Sequence, residues 1–152
     1  MHFHLPTEHD SQQWAARLAA CLTPPLTITF TGEIGMGKTT LIRALLRSLG
    51  VPGAIKSPTF SLVESYDLGT MQLHHFDLYR IHDDAELACI GFRDYFDAQS
   101  ICCIEWPERA AHAIDYVDIA LTLTRRGEGR ELQMAAISCI GQRALSCIVG
   151  GA

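Results

Sequence analysis

The feature that most constrains this chain is the stretch 32–39, which reads GEIGMGKT. It fits the pattern G-x-x-x-x-G-K-[ST], in which backbone N–H groups cradle a polyphosphate. The flanking sequence agrees, because 26–30 has the composition of a short strand and 38–49 has the composition of a helix. A strand, a glycine loop and a helix in this order predict a phosphate-binding site at the start of that helix.

The residue types of this loop have separate chemical roles. Its glycines permit positive φ and a close approach of the backbone to phosphate, and successive N–H groups supply partial positive charge. Lys38 is expected to neutralise the outer phosphates, and the Thr39 hydroxyl is expected to hold Mg²⁺. The residues predicted to contact the nucleotide here are Gly32, Gly35, Met36, Gly37, Lys38, Thr39 and Thr40.

Composition favours one ordinary globular domain over residues 1–152, with 48% hydrophobic and 19% charged residues. The net charge of −5 argues against direct binding of nucleic acid by a basic surface.

The six cysteines contain no C-x-x-C pair, which favours reduced thiols over a disulfide framework or a zinc site. No apolar run approaches the ~18 residues that a membrane-spanning helix needs, so we expect a soluble, cytoplasmic protein.

The remaining sequence predicts several strands with few helices between them. The expected fold is α/β, with a mixed sheet that is parallel near the phosphate loop, antiparallel toward the hairpins and flanked by helices. Cys102 and Cys103 are neighbours on a strand and should point to opposite faces of the sheet. Further strands are expected at 60–66, 71–77, 100–105, 117–124 and 131–138. Further helices are expected at 11–21, 83–91, 92–97, 107–113 and from 140 onward.

Two acids stand at the ends of predicted strands, where open α/β sheets place their ligands. Glu105 is the best candidate for a second Mg²⁺ ligand. Asp77 has three interpretations: it orients or deprotonates the attacking water, it lies in the outer shell of the metal, or it forms an ion pair with Arg80. The adjacent His74 and His75 lack partners with metal-site spacing, so packing or hydrogen bonding is the preferred interpretation for both.

Two further segments have functional interpretations. Thr59 lies in a loop after the phosphate-loop helix, placed like a switch residue that approaches the outer phosphate. Arg125, Arg126 and Arg130 form a basic cluster, which is either a solvated hairpin tip or a contact for a nucleotide or partner. No N-K-x-D motif for reading guanine occurs, so adenine is the expected base.

Linked motifs along nearly the whole chain resemble the TsaE family, also called YjeE, of bacterial ATPases in tRNA threonylcarbamoyladenosine synthesis. Besides the phosphate loop, these motifs are KSPTF at 56–60, HFDLYR at 75–80, GFRDYF at 91–96 and IEWP at 104–107. The resemblance implies a P-loop NTPase-like fold that binds ATP and Mg²⁺ and hydrolyses ATP weakly alone. It also implies the partner proteins TsaB and TsaD, which transfer the threonylcarbamoyl group to adenosine 37 of tRNAs reading codons that begin with adenine. In that scheme ATP hydrolysis resets the complex between catalytic cycles. This protein would contact tRNA only indirectly, through the complex with TsaB and TsaD.

The resemblance also implies roles for individual residues. Lys38 and the loop amides bind phosphates, while Thr39 and Glu105 hold Mg²⁺. Asp77 serves hydrolysis or metal organisation, and Thr59 belongs to a switch-like loop. Glu8 and Arg130 match positions near the nucleotide, and Trp106, which follows Glu105, is expected either to face a partner or to brace the site. This chain departs from the family pattern at Glu33 and Met36, where Asp and Ala are frequent, and Met36 is expected to crowd the phosphates.

Two other functions compete with a partner-activated ATPase. A small-molecule kinase of the P-loop type would use the arginine cluster as a lid, although the sequence there predicts strands where such enzymes have a helical lid. A nucleotide-binding adaptor would bind partners in the same way whether or not ATP is hydrolysed.

Overall fold

The computed structural model describes residues 1–151, and its centre is a seven-stranded mixed sheet with helices on both faces. This confirms the predicted α/β architecture. The strand order across the sheet is β1-β7-β6-β2-β5-β4-β3. In chain order the elements are β1 (His2–Leu5), α1 (Glu8–Ala19), β2 (Leu26–Thr31), α2 (Lys38–Ser48), β3 (Val63–Asp67), β4 (Gln72–Asp77), α3 (Asp84–Cys89), a 3₁₀ helix (Phe92–Tyr95), β5 (Ser100–Glu105), a second 3₁₀ helix (Pro107–Ala110), β6 (Ile119–Arg126), β7 (Gly129–Ala136) and α4 (Cys139–Gly150).

The parallel strands form the middle of the sheet and the antiparallel pairs form its two sides. β2 pairs in parallel with β5 and β6, and β4 pairs in parallel with β5. The antiparallel pairs are β1 with β7, β6 with β7, and β3 with β4. The carboxyl ends of β2, β4 and β5 therefore meet at one edge, which is where an α/β sheet forms its ligand site.

Each face of the sheet has its own hydrophobic core. Side chains of α1, α2 and α4 bury one face, where Ile101 and Cys103 of β5 contribute. The shorter helices cover the other face, where Cys102 and Ile104 contribute. The alternation along β5 confirms that Cys102 and Cys103 point to opposite faces, as the period of a strand requires.

Several predicted boundaries were wrong for local reasons. α1 begins at Glu8 because Thr7 and Asp10 form a capping box, with Thr7 N–H donating to the Asp10 carboxylate over 2.9 Å. β3 begins at Val63 because Leu62, at φ 68°, ends a turn in which its N–H donates to the Pro58 carbonyl. The helices expected at 92–97 and 107–113 are short 3₁₀ turns, and α4 is a full twelve-residue helix.

Two features of the fold were not predicted. β1 was missed because it has only four residues, which alternate between polar and apolar, and because its partner, β7, comes from the far end of the chain. The expectation of six reduced cysteines was also wrong, because Cys21 and Cys147 form a disulfide with Cα atoms 5.8 Å apart. The segment after α1 and helix α4 meet only in the folded chain, so cysteine spacing gave no sign of the pair. The other cysteines are free, with Cys102 and Cys103 buried and Cys89 and Cys139 exposed.

Across residues 1–151, none of the helices has the length and apolar character that crossing a membrane would require.

Candidate nucleotide site

A cleft of about 400 Å³ opens at the edge where the parallel strands end. Asp77 of β4 lies beside Glu105 of β5 in register, and Glu105 is in turn paired with Phe30 of β2. The glycine loop that follows β2 forms the opposite wall. The residues that line the cleft are Ile34, Gly35, Gly37, Lys38, Thr39, Thr40, Thr59, Asp77, Tyr79, Glu105, Trp106 and Arg130.

The glycine loop delivers the N-terminus of α2 to this cleft. Gly35 and Gly37 have φ of 81° and 90°, a conformation that side chains other than glycine rarely adopt. Gly37 is the N-cap of α2 and has no side chain to occupy the N–H groups of the first turn. These N–H groups and the positive end of the helix dipole suit an anion. The loop therefore fits a phosphate group by its own geometry.

Lys38, the first residue of α2, is held against the glycine loop that precedes it. It is only 4% exposed, and its ammonium donates hydrogen bonds to the carbonyls of Gly32 over 2.5 Å and Glu33 over 3.0 Å. The ammonium also lies 4.3 Å from the centre of the Trp106 ring. Burial lowers the pKa of Lys38, and the carboxylates of Glu105 and Asp77 counteract that effect. A phosphate in the cleft would offer this cation a charged partner in place of the two carbonyls.

Glu105 connects the phosphate loop to the centre of the sheet. The Thr39 hydroxyl lies 2.9 and 3.0 Å from its two carboxylate oxygens. On the buried side, His75 Nε2 lies 2.6 Å from Glu105 Oε2. A hydroxyl and a carboxylate are hard oxygen donors of the kind that Mg²⁺ prefers. Within residues 1–151 no group of three or more His, Cys, Asp or Glu side chains is arranged to hold a metal, so phosphates and water would have to complete the coordination.

Asp77 lies next to Glu105, on the neighbouring strand β4, and also lines the cleft. Burial raises the pKa of its carboxyl group, and the negative charge of Glu105 adds to the increase, while the hydrogen bond from Tyr79 N–H opposes it. That hydrogen bond is 3.1 Å long, and the Thr59 hydroxyl donates to the same carboxylate over 3.5 Å. The interpretation of Asp77 as an ion-pair partner is not supported, because the Arg80 guanidinium lies over the Phe60 ring instead.

The arginine cluster divides between the cleft and the solvent. Arg130 of β7 lines the cleft and packs directly on the phosphate loop, since a Cβ built on Gly37 would lie 2.6 Å from Arg130 Nη1. Arg126 is turned away and pairs with Glu131 over 3.1 Å. Only one of the three arginines therefore has the position of a nucleotide contact, and the tip of the hairpin is solvated.

Three predicted contacts lie outside the cleft lining. Gly32 contributes its carbonyl to Lys38, and a side chain at its position would collide with the Leu123 carbonyl at 2.7 Å. The Met36 side chain packs against the core on the α1, α2 and α4 side of the sheet, and the expectation that it crowds the phosphates stays a prediction. Glu8 opens α1 and is not among the lining residues.

Sequence reasoning missed Ile34 and Tyr79 as lining residues and missed the contact of His75 with Glu105. Tyr79 follows Asp77 by two residues, which was a usable signal for its place at the same rim. The Trp106 ring braces Lys38 because its backbone, at φ 57°, turns sharply after β5. Such a turn at a large residue has no signature in a single sequence.

Comparison with known proteins agrees with this geometry. Residues 5–132 match the model of the family described as "Threonylcarbamoyl adenosine biosynthesis protein TsaE". A protein of Haemophilus influenzae named tRNA threonylcarbamoyladenosine biosynthesis protein TsaE is 34% identical over 148 residues, covering 94% of both chains. Proteins of the same name in Synechocystis and Bacillus subtilis are 39% and 31% identical, covering 72% and 84% of this chain and 71% and 80% of their own.

A solved structure shows the same fold. The crystal structure of YdiB from Bacillus subtilis superposes with a TM-score of 0.86, covering 99% of this chain and 95% of that one, at 22% identity. The fold is therefore shared from end to end, α4 included. Together with the family match over most of the chain, these similarities show that the protein belongs to the TsaE family.

Proposed function

We propose that this protein binds ATP with Mg²⁺ and hydrolyses it as an accessory component of tRNA threonylcarbamoyladenosine synthesis. The observation that carries the proposal is the contact of Thr39 with Glu105, next to Lys38 in a phosphate loop. The names of the TsaE relatives support the pathway. The lining of the cleft supports the chemistry, because anion-binding N–H groups, a cation and two acids converge on one space.

Each residue has a stated part in the proposed reaction. The N–H groups of the loop and Lys38 hold and neutralise the outer phosphates. Thr39 and Glu105 would hold Mg²⁺, which would supply positive charge to stabilise the negative charge that develops on the phosphate oxygens. Arg130, lying on Gly37, approaches the same phosphates from the hairpin side.

Asp77 and Thr59 act on the side of the attacking water. The Asp77 carboxylate orients this water, and the upward shift of its pKa makes it a better proton acceptor than an ordinary aspartate. The Thr59 hydroxyl already donates a hydrogen bond to the Asp77 carboxylate over 3.5 Å, so movement of the segment from Ser57 to Thr59 would adjust both residues at once. This gives the proposed switch loop a direct connection to catalysis.

The proposed partners are TsaB and TsaD, which carry out the transfer to tRNA. The net charge of −5 agrees with this division of labour, because this protein offers no general positive field for holding tRNA. Action in the cytoplasm is part of the proposal.

The test is steady-state release of phosphate from ATP, measured with and without purified TsaB and TsaD. We expect a low rate alone, a higher rate with both partners, and loss of most turnover in Lys38→Ala, Thr39→Ala, Asp77→Ala and Glu105→Ala. Removing one contact to the developing charge typically costs about 10²- to 10³-fold in rate. Arg47→Ala, at the far end of α2, is the control and should leave the rate unchanged.

Wild-type rates in two of the four cleft variants would contradict the assigned roles. Transfer of phosphate to a metabolite, without stimulation by TsaB and TsaD, would favour the kinase alternative instead. The arginine cluster argues against the kinase alternative, because it lies on the antiparallel strands β6 and β7 and not on a helical lid.

A further inference from the structure

His75 is a fully buried histidine of β4 whose hydrogen bond goes to the candidate metal ligand. It is 0% exposed, and its Nε2 lies 2.6 Å from Glu105 Oε2. Its other ring nitrogen, Nδ1, is buried and has no hydrogen-bond partner among residues 1–151. A purely apolar side chain would avoid burying an unpaired nitrogen, so packing alone does not account for a histidine here.

The sheet places His75 directly behind the site. Along β4, His75 and Asp77 point to the same face, and β5 lies alongside with Cys103 opposite His75 and Glu105 opposite Asp77. His75 therefore lies one residue pair deeper in the sheet than the two acids. It does not line the cleft, whereas Glu105 and Thr39 do.

The Glu105 carboxylate is consequently held from two sides. The Thr39 hydroxyl contacts it from the cleft side, and His75 contacts Oε2 from the core. An ionised carboxylate can only accept hydrogen bonds, so the His75 tautomer in this contact carries its hydrogen on Nε2 and donates the hydrogen bond to Glu105. This hydrogen bond restricts the rotation of the carboxylate, which also lines the cleft.

We propose that His75 is a positioning residue that orients the Glu105 carboxylate for Mg²⁺. The inference rests on the proposed function, because the metal is part of that function. Hydrogen-bond partners of metal ligands fix ligand orientation, and their loss typically weakens metal affinity about 10- to 100-fold. His75 thus acts on metal binding without touching the nucleotide.

The test measures equilibrium binding of Mn²⁺, as a spectroscopic substitute for Mg²⁺, in the presence of a non-hydrolysable ATP analogue. Electron paramagnetic resonance counts free Mn²⁺, so the readout does not depend on turnover. We expect His75→Leu to weaken Mn²⁺ binding about 10- to 100-fold. His75→Gln, whose amide N–H can replace Nε2–H, should restore most of the affinity. Binding of the analogue without metal should be the same in all three proteins.

His74→Leu is the matched control. His74 is the neighbouring histidine, is 4% exposed, and bonds to Ser65 and Ser100 on the opposite face of the sheet. It should bind Mn²⁺ like the wild type. Equal weakening in His74→Leu and His75→Leu would indicate a general loss of structure and would overturn the proposal.

The remaining outcomes separate this inference from the proposed function. Unchanged Mn²⁺ affinity in His75→Leu, with normal wild-type binding, overturns the role of His75 alone. A wild-type protein that binds neither analogue nor Mn²⁺ contradicts the proposed function and this inference together. If His75→Leu does not fold by circular dichroism, His75→Gln is compared with His75→Asn, whose shorter amide falls short of Glu105. Tighter binding by the glutamine variant supports the proposal, and equal binding overturns it.

Discussion

A buried carboxylate next to a second acid has a free-energy cost that the fold must offset. Asp77 is 8% exposed and faces the negative charge of Glu105, and both conditions raise its pKa above the ordinary value of 3.8. The folded state therefore binds this proton more tightly than the unfolded state does. By linkage, the free energy of unfolding falls as pH rises from 3.8 through the folded-state pKa, and above that pKa the full cost is present.

We therefore expect Asp77→Asn to be more stable than the wild type at neutral pH. The asparagine removes the buried charge, and its carbonyl oxygen can still accept the hydrogen bond from Tyr79 N–H. The difference in the free energy of unfolding, measured by urea denaturation, should shrink as pH is lowered through the folded-state pKa. Asp115→Asn, an exposed site with a 3.7 Å ion pair to Arg93, should change stability little at any pH. A destabilised Asp77→Asn at neutral pH would contradict this account.

At the residue scale, the sequence predicted the groups whose chemistry is local. Lys38, Thr39 and the glycines belong to one continuous pattern, and that pattern largely determines their geometry. Glu105 and Asp77 were predictable because both end strands of a parallel sheet. The contact of His75 with Glu105 could not be predicted, because it depends on the register of β4 against β5, which a single sequence does not give.

At the scale of the elements, the start of α4 packs closely against the backbone at Asp118. Its N-cap Ser138 donates to the Asp118 carboxylate over 2.6 Å, and that carboxylate also accepts from Thr27 N–H of β2. In the first turn of α4, Gly141 lies very close to the backbone of Asp118. A Cβ added to Gly141 would lie only 2.0 Å from the Asp118 carbonyl oxygen. The end of α4 is thus fixed to the strand next to the phosphate loop through one aspartate.

Gly141→Ala should accordingly lower the free energy of unfolding by about 1–3 kcal/mol or more, the usual cost of overpacking. Gly150→Ala, at the other end of the same helix, meets nothing within 4 Å and should be neutral or slightly stabilising. Thermal and urea denaturation of the two variants provide the comparison. If both variants behaved alike, the close approach of α4 to Asp118 would be refuted.

Element types were more predictable than element boundaries. The strand and helix around the phosphate loop, the hairpin at β3 and β4, and the buried β5 follow from composition and periodicity. The start of β3 depends on Leu62 at positive φ, and β1 exists because β7 offers it a partner. Such tertiary effects override local propensity, so they appear only in the folded chain.

At the scale of the whole molecule, a disulfide spans a sequence separation of 126 residues. It joins the segment after α1 to α4, so it closes nearly the full chain into a loop. Cross-links of this kind typically contribute about 2–4 kcal/mol by restricting the unfolded state. The pairing was not predictable, because spacing alone does not say which of the six cysteines meet.

Alkylation of the purified protein counts its free thiols directly and so tests the Cys21–Cys147 disulfide. In the native state only Cys89 and Cys139 should react, because Cys102 and Cys103 are buried and burial raises the pKa of Cys102 to about 12. Denaturation without reductant should expose four thiols, and reduction should release all six. Mass spectrometry reads each count, and six labelled cysteines without reductant would contradict the Cys21–Cys147 pair.

The most direct test of the central claim is repeated modification of tRNA in a reconstituted reaction that contains TsaB, TsaD and an activated threonylcarbamoyl donor. Threonylcarbamoyladenosine formed per molecule of TsaD is counted with the wild-type protein and with Glu105→Ala, after both are shown to be folded. The account predicts many rounds with the wild type and at most about one with the variant, since hydrolysis in this cleft is proposed to reset the complex. Equal yields over many rounds would contradict it and would leave a nucleotide-binding adaptor as the function of this fold.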